Sequence, residues 1–342
     1  MALNHAVASA PTKLILFGEH FVVYGTPGIA IPISPRNYVT ANRLEGGPSL
    51  HLTGVMGDAV FEPGGRIAGD LSLGMFGAAY HFLNEKGIAK NGLFKADVKL
   101  DRRCKGIGNS SSVGAALGLA VARASGKRLL KEEVFECAQQ VDGVAHGGRP
   151  SGIDARTVVE GKPQIFRRLF SPPGFEFRQT GVLLPTGFCL VVIDTFRGKK
   201  STTRELVERF GQTVGAGGLP ETLSDDARAR ICAPYATIYD KAAGLLSKGT
   251  PDCAKSIGEL MNENHLLLSE RGVSTDEIEV LRTGCLKAGA LGMKISGAGG
   301  EGGAVIAFVS EKKLRGVEAI AKDLGFVCFV VEIAKQGAVL EK

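Results

Sequence analysis

The feature that most constrains this chain is a glycine and serine run, Gly106-Ile107-Gly108-Asn109-Ser110-Ser111-Ser112, that opens straight onto a segment rich in Ala, Leu and Val. Only Gly114 and Gly118 interrupt the apolar residues before about Ser125, so the segment reads as a buried helix entered from a tight loop. A glycine-rich helix start exposes backbone N–H groups that attract an anion, and serine hydroxyls there can hold a phosphate oxygen or a hard cation. A serine N-cap preceded by permissive glycines fits the same run, and both readings stand at this point. The run is neither G-x-x-x-x-G-K-[ST] nor G-x-G-x-x-G, which disfavours P-loop NTPases and dinucleotide-binding folds.

At 342 residues and 44% hydrophobic content the chain can bury a large core and is expected to divide into about two domains. Residues 13–17 and 28–33 read as short buried strands around a Gly/Pro turn, and alternation over 38–44 and 96–100 adds further strands. A second helix is expected over 131–142. A strongly apolar strand within 181–194 follows a loop holding Pro172-Pro173, and the domain boundary is placed there. Beyond it, 201–210, 224–247, 251–271 and 275–288 carry apolar residues at helical spacing. Strands at 293–296 and 304–309, a helix over 311–324 and a strand over 326–333 complete a ferredoxin-like half.

Composition narrows the function classes. Charged residues make up 22% of the chain, and its net charge of +6 comes from Lys and Arg scattered along its whole length. Pairs such as Lys199-Lys200 are far shorter than the basic runs that track a nucleic acid, so no nucleic acid partner is expected. Seven widely spaced cysteines without a C-x-x-C pair are expected to be reduced thiols in a cytoplasmic protein. Apolar stretches are too short or broken to span a membrane, and the N-terminus does not read as a leader.

Three further segments carry polar groups in suggestive places. Residues 11–25 read as a strand ending at Gly18, followed by Glu19, His20 and Tyr24, so polar side chains gather where the strand opens. His20 by itself fits a satisfied structural histidine equally well. His146-Gly147-Gly148-Arg149-Pro150-Ser151-Gly152-Ile153-Asp154 ends in a carboxylate, with Asp142 upstream near a helix end. Two acids in one region serve as a metal ligand and a base, or are unrelated surface acids. Lys294-Ile295-Ser296-Gly297-Ala298-Gly299-Gly300-Glu301-Gly302-Gly303 is a plain hairpin or a second backbone wall for phosphates.

Taken together and in this order, the four segments resemble the motifs of the GHMP kinases. The Gly18-Glu19-His20-Phe21-Val22-Val23-Tyr24-Gly25 form resembles the mevalonate kinases in particular. Leu260-Met261-Asn262-Glu263-Asn264-His265 and Gly272-Val273-Ser274 resemble a helical segment of the same family, so the likeness covers most of the chain. It implies an α+β, two-domain GHMP kinase fold. Residues 1–183 would form a domain like the second domain of ribosomal protein S5, and 184–342 a ferredoxin-like one, with the active site between them.

The implied reaction is ATP-dependent phosphorylation of the C5 hydroxyl of mevalonate, with Mg²⁺, in isoprenoid biosynthesis. Gly106, Ile107, Gly108, Asn109, Ser110, Ser111 and Ser112 would wrap the ATP phosphates, helped by Gly297, Ala298 and Gly299. Ser110, with Ser111 as the near alternative, and Asp142 would be the metal ligands. Asp154 would act as catalytic base with Lys13 as its charge partner, while Glu19, His20, Tyr24, Ser151 and Thr203 would face the substrate. Family habit adds a homodimer.

The chain departs from the family pattern in three places. The loop Gly147-Gly148-Arg149-Pro150 is one residue longer than H-G-x-P, the metal acid is Asp142 rather than Glu, and Glu301 and Gly303 stand where Gly and Cys are usual. A sugar kinase of the galactokinase type is the rival within the class, but those enzymes follow G-E-H with T-D-Y, whereas Phe21-Val22-Val23-Tyr24 suits a smaller, more apolar acceptor. A non-catalytic nucleotide-binding descendant is the rival outside it. Retention of Lys13, Asp154 and the loop serines argues against that reading.

Overall fold

The computed structural model describes residues 4–145, 151–198, 203–216, 220–300 and 302–342, with Thr203 and Arg204 described by their backbone alone. In chain order the first part holds β1 (His5–Phe17), β2 (Gly28–Leu44), β3 (Ser49–Gly54), β4 (Ala59–Phe61), β5 (Ile67–Gly69), α1 (Met75–Glu85), β6 (Leu93–Leu100), α2 (Asn109–Ala124), α3 (Lys131–Ala145), α4 (Ile153–Glu160), β7 (Gln164–Phe170) and β8 (Pro173–Gln179). These strands form one sheet in the order β1-β2-β6-β3-β4-β5, with β7 pairing β2 and β8. β6 shows why: Phe94, Ala96 and Val98 point into the core while Lys95, Asp97 and Lys99 face outward, the period of a strand buried on one face.

The second part holds β9 (Phe188–Asp194), α5 (Thr203–Thr213), α6 (Asp225–Lys248), α7 (Ala254–Ser269), α8 (Asp276–Lys287), β10 (Ala290–Ser296), β11 (Ala304–Ser310), α9 (Leu314–Asp323), β12 (Val327–Val331) and β13 (Val339–Leu340). Its four-stranded antiparallel sheet runs β10-β11-β9-β12, the ferredoxin-like order expected for this half. β13 returns to the first sheet and pairs with β1.

Three local expectations change. The strands expected at 28–33 and 38–44 are one strand, β2, because the irregularity near Pro35 is absorbed as a register shift between Pro11 and Thr12 while pairing with β1 continues on both sides. The segment around Pro172-Pro173 is a hairpin of β7 and β8 rather than a loop, since the prolines sit at its turn. The apolar strand within 181–194 is confined to Phe188–Asp194.

α2 lies across β1 and β2 and packs on α3. Val113, Leu117 and Val121 on it are essentially fully buried, each worth about 1.5–3 kcal/mol of apolar transfer. Its two interior glycines exist for the contact with α3: a Cβ on Gly114 would lie 3.0 Å from Val141, and one on Gly118 3.0 Å from the Cys137 sulfur. Each methyl withheld there lets the helices close, and that approach sets Asp142 of α3 against the first turn of α2.

Candidate active site

The first turn of α2 begins at Gly108, whose left-handed φ of 74° suits glycine. No side chain caps this end and no acid lies in its first turn, so its N–H groups are left for an anion. The loop is anchored on both sides. Asn109 accepts from the Asn37 amide at 2.9 Å and donates to the Cys104 carbonyl at 2.9 Å, and Ser112 Oγ donates to the Ala10 carbonyl at 2.8 Å.

Beneath the loop, Lys13 of β1 meets Asp154 of α4. Lys13 Nζ lies 3.1 Å from Asp154 Oδ1, and the side chains are 4% and 12% exposed. Nζ also donates to the Gly106 carbonyl at 3.3 Å, and the Lys13 N–H donates to the Ile107 carbonyl at 2.8 Å. A Cβ on Gly108 would fall 2.9 Å from Lys13 Cγ and 3.4 Å from Asp154 Oδ2. The backbone of the loop therefore rests directly on the ion pair.

Ser111 Oγ donates to Asp142 Oδ1 at 2.9 Å and is fully buried, while Ser110, half-buried, reaches the same oxygen at 3.4 Å. One carboxylate and two hydroxyls are hard oxygen donors, suited to a Mg²⁺ that takes most of its remaining ligands from phosphates and water. Among the described residues no group of three or more His, Cys, Asp or Glu is placed to hold a metal ion.

Glu19, His20 and Tyr24 occupy the turn between β1 and β2. Glu19 is fully buried, with Oε1 2.5 Å from Lys294 Nζ and Oε2 without a partner. Burial raises the Glu19 carboxyl and lowers the Lys294 ammonium, and each shift is opposed by the partner's charge. His20 holds a positive φ of 60° and stacks on Phe210 of α5, ring centroids 5.1 Å apart. Its Nε2 lies 2.9 Å from the Ala298 carbonyl; since a carbonyl only accepts, Nε2 carries the proton and Nδ1 is a buried acceptor without a partner. Burial pushes this imidazole down to about 4, with the Lys294 charge adding to the shift, so it is neutral at pH 7. Tyr24 is buried against Phe210, and burial raises its phenol to about 12.

The turn after β10 joins the site from the other half of the molecule. A Cβ on Gly297 would lie 3.7 Å from the Gly106 carbonyl, and a Cβ on Gly299 would strike the Val273 carbonyl at 2.4 Å. Ser151 Oγ accepts from the Ile153 N–H at 3.4 Å, at the start of α4. The side chain of Thr203, the loop from His146 to Pro150, and Glu301 lie outside the described residues. Lys294, Ser296 and Phe210 had no role assigned from sequence, yet all three contact the β1–β2 turn or the end of β1. Lys294 and Ser296 stand inside the fourth motif, which was their one visible signal; Phe210 had none beyond helical spacing.

Residues 75–162 match the family described as GHMP kinases N terminal domain and residues 251–325 that described as GHMP kinases C terminal. The chain belongs to the GHMP kinases, a family of small-molecule phosphotransferases. Along its full length it is similar to mevalonate kinases: that of Thermococcus gammatolerans is 31% identical and that of Aeropyrum pernix 32%, each over 98% of both chains. The crystal structure of L. major mevalonate kinase in complex with R-mevalonate superposes with a TM-score of 0.78 at 25% identity, over 96% of each chain. Galactokinase of Lactococcus lactis shares the fold, with a TM-score of 0.75 at 16% identity over 99% of this chain and 95% of that one. No helix among the described residues is long and apolar enough to cross a membrane.

Proposed function

We propose that this chain transfers the γ-phosphoryl group of ATP to the C5 hydroxyl of mevalonate, giving 5-phosphomevalonate and ADP, a step of isoprenoid biosynthesis. The observation that carries the reading is the Lys13–Asp154 pair, 3.1 Å apart and nearly sealed from solvent under the uncapped start of α2. Full-length likeness to mevalonate kinases supports the acceptor.

In this reading residues 1–183 supply the phosphate loop and base, and 184–342 the second wall around Gly297, Ala298 and Gly299. The N–H groups of residues 106–112 hold the triphosphate. Ser110 and Asp142 hold Mg²⁺, and Ser111 keeps the Asp142 carboxylate oriented. Bound Mg²⁺ supplies charge neutralisation on the phosphate oxygens. His20, Glu19 and Tyr24 position the acceptor, with Ser151 and Thr203 at its edges.

The acceptor oxygen forms the new bond to the γ-phosphorus as the bond to the β-bridging oxygen breaks, and Asp154 takes the hydroxyl proton. Lys13 offsets the negative charge that gathers on the transferred group. Positioning and charge do most of the work in such a loose transition state. ADP release measured with mevalonate, galactose and homoserine in parallel tests the reading. Turnover confined to galactose or homoserine, or absent with all three, would overturn it.

A further inference from the structure

Three polar links join the strand β10 and its turn to the end of β1, and they come from alternate residues. Lys294 Nζ meets Glu19, Ser296 Oγ accepts from the Ile15 N–H at 3.0 Å and donates to its carbonyl at 3.1 Å, and the Ala298 carbonyl accepts from His20 at 2.9 Å. The period of two places Lys294 and Ser296 on one face of β10, and the Ala298 carbonyl follows in the turn beyond it. The links cross between the two sheets, so the turn bearing Glu19 and His20, which Arg167 and Arg168 of β7 also hold at the Gly25 and Val23 carbonyls, takes part of its position from the second sheet.

We propose that Lys294 is a positioning residue for the acceptor site: its buried ammonium holds Glu19 in place as a carboxylate whose second oxygen accepts a hydroxyl of the acceptor. This inference rests on the reading of Glu19 and His20 as the acceptor pocket. Its physical basis is the burial of both partners. The Glu19 and Lys294 side chains are 0% exposed, and Nζ donates to Glu19 Oε1 at 2.5 Å and to the Ile295 carbonyl at 2.6 Å. A carboxylate enclosed this way keeps its charge only while a cation faces it.

Glu19 Oε2 and His20 Nδ1 are then two neighbouring-residue acceptors without donors, a pair that fits a ligand bringing O–H groups. Protonated Glu19 would present a donor where the site needs an acceptor. The charged and titratable groups that bear on this pair are Lys13, His20, Tyr235 and His265. Burial holds His20 neutral and keeps the Tyr235 phenol from ionising, and Lys13 faces Asp154, which leaves Lys294 as the direct counter-charge.

The test compares wild type, Lys294→Met, Ser296→Ala and the double variant Lys294→Met/Glu19→Gln. The Michaelis constants for mevalonate and ATP are measured from about pH 6.5 to about pH 9, a range in which a buried, unpaired carboxyl titrates. For Lys294→Met we expect the mevalonate constant to rise roughly tenfold or more at neutral pH and to fall back as pH rises, with the ATP constant within about twofold.

Ser296→Ala breaks the same seam without touching the charge, and its mevalonate constant should be independent of pH. Adding Glu19→Gln to Lys294→Met should abolish the pH dependence. A flat profile for Lys294→Met, equal effects on both substrates, or a pH dependence that survives Glu19→Gln overturns the inference. Should Lys294→Met alone fail to fold, a folded double variant supports the proposal, because it removes the stranded carboxylate; a double variant that also fails to fold overturns it. Wild-type turnover of mevalonate is read first, so a failure of the acceptor assignment is seen separately.

Discussion

Replacing Asp154 with Asn removes one charge from the Lys13–Asp154 pair and keeps the shape of the side chain. At 3.1 Å, with an effective dielectric of about 20, the attraction between the two charges is about 5 kcal/mol before desolvation is set against it. Asn retains an amide oxygen that accepts from Lys13, and Nζ keeps the Gly106 carbonyl at 3.3 Å, so the expected loss of stability is only about 1–3 kcal/mol. Turnover should suffer more, because the proposed mechanism loses the base that receives the hydroxyl proton. We expect a fall on the order of 10² or more, equivalent to about 2.7 kcal/mol of transition-state stabilisation, with ATP binding within a few-fold of wild type.

Lys13→Met should cost a similar factor. Since the two groups touch each other and in the proposed mechanism act on one transferred group, the double variant should lose far less than the product of the single losses. The assay is steady-state ADP release under saturating substrates, with nucleotide affinity from equilibrium titration and stability from urea unfolding. Multiplicative losses, or an Asp154→Asn enzyme within a few-fold of wild type, would refute the assignment of this pair to the chemistry.

Gly108→Ala places a methyl 2.9 Å from Lys13 Cγ at a φ of 74°, and a displacement near 1 Å at a catalytic group can cost about 10²-fold; we expect turnover to fall while urea unfolding shifts by only about 1 kcal/mol. Ser110→Ala and Asp142→Ala should raise the Mg²⁺ needed for half-maximal velocity much more than the mevalonate constant, and a Mg²⁺ titration that leaves Ser110→Ala unchanged hands the ligand role to Ser111. His20, held at about 4 by burial, binds its proton in the unfolded chain first as pH falls from 6.5. The stability it contributes above about pH 6.5 is therefore lost down to about pH 4, by about 3 kcal/mol. Scanning calorimetry of His20→Asn, a residue that tolerates positive φ, should show that acid-side slope flattened.

Much of the second half was legible in advance because its signals are local. Helix α6 starts at Ser224, which accepts from the Ala227 N–H at 3.2 Å, and ends at Gly249 with φ 61°; α8 starts at Thr275, followed by three acids in its first turn. Such caps and the apolar spacing between them depend on residues a few positions apart, so a sequence window contains the whole cause. The glycine and serine run and its buried helix were legible for the same reason. Lys13 and Asp154 became candidates through the resemblance to the GHMP kinases, and nothing in their spacing of more than a hundred positions brings them together.

Tertiary packing decided the rest. Lys294 and Glu19 are 275 positions apart, and their pairing exists only because β10 lies against the end of β1. β13 is too short to be read as a strand by itself and becomes one by pairing with β1. The contact of Asp142 with Ser110 and Ser111 depends on α3 closing onto the bare faces of Gly114 and Gly118. A lone carboxylate or lysine carries no mark in the sequence of whether it will be solvated or sealed. Burial creates the demand for a partner, and burial is a property of packed elements rather than of any single one.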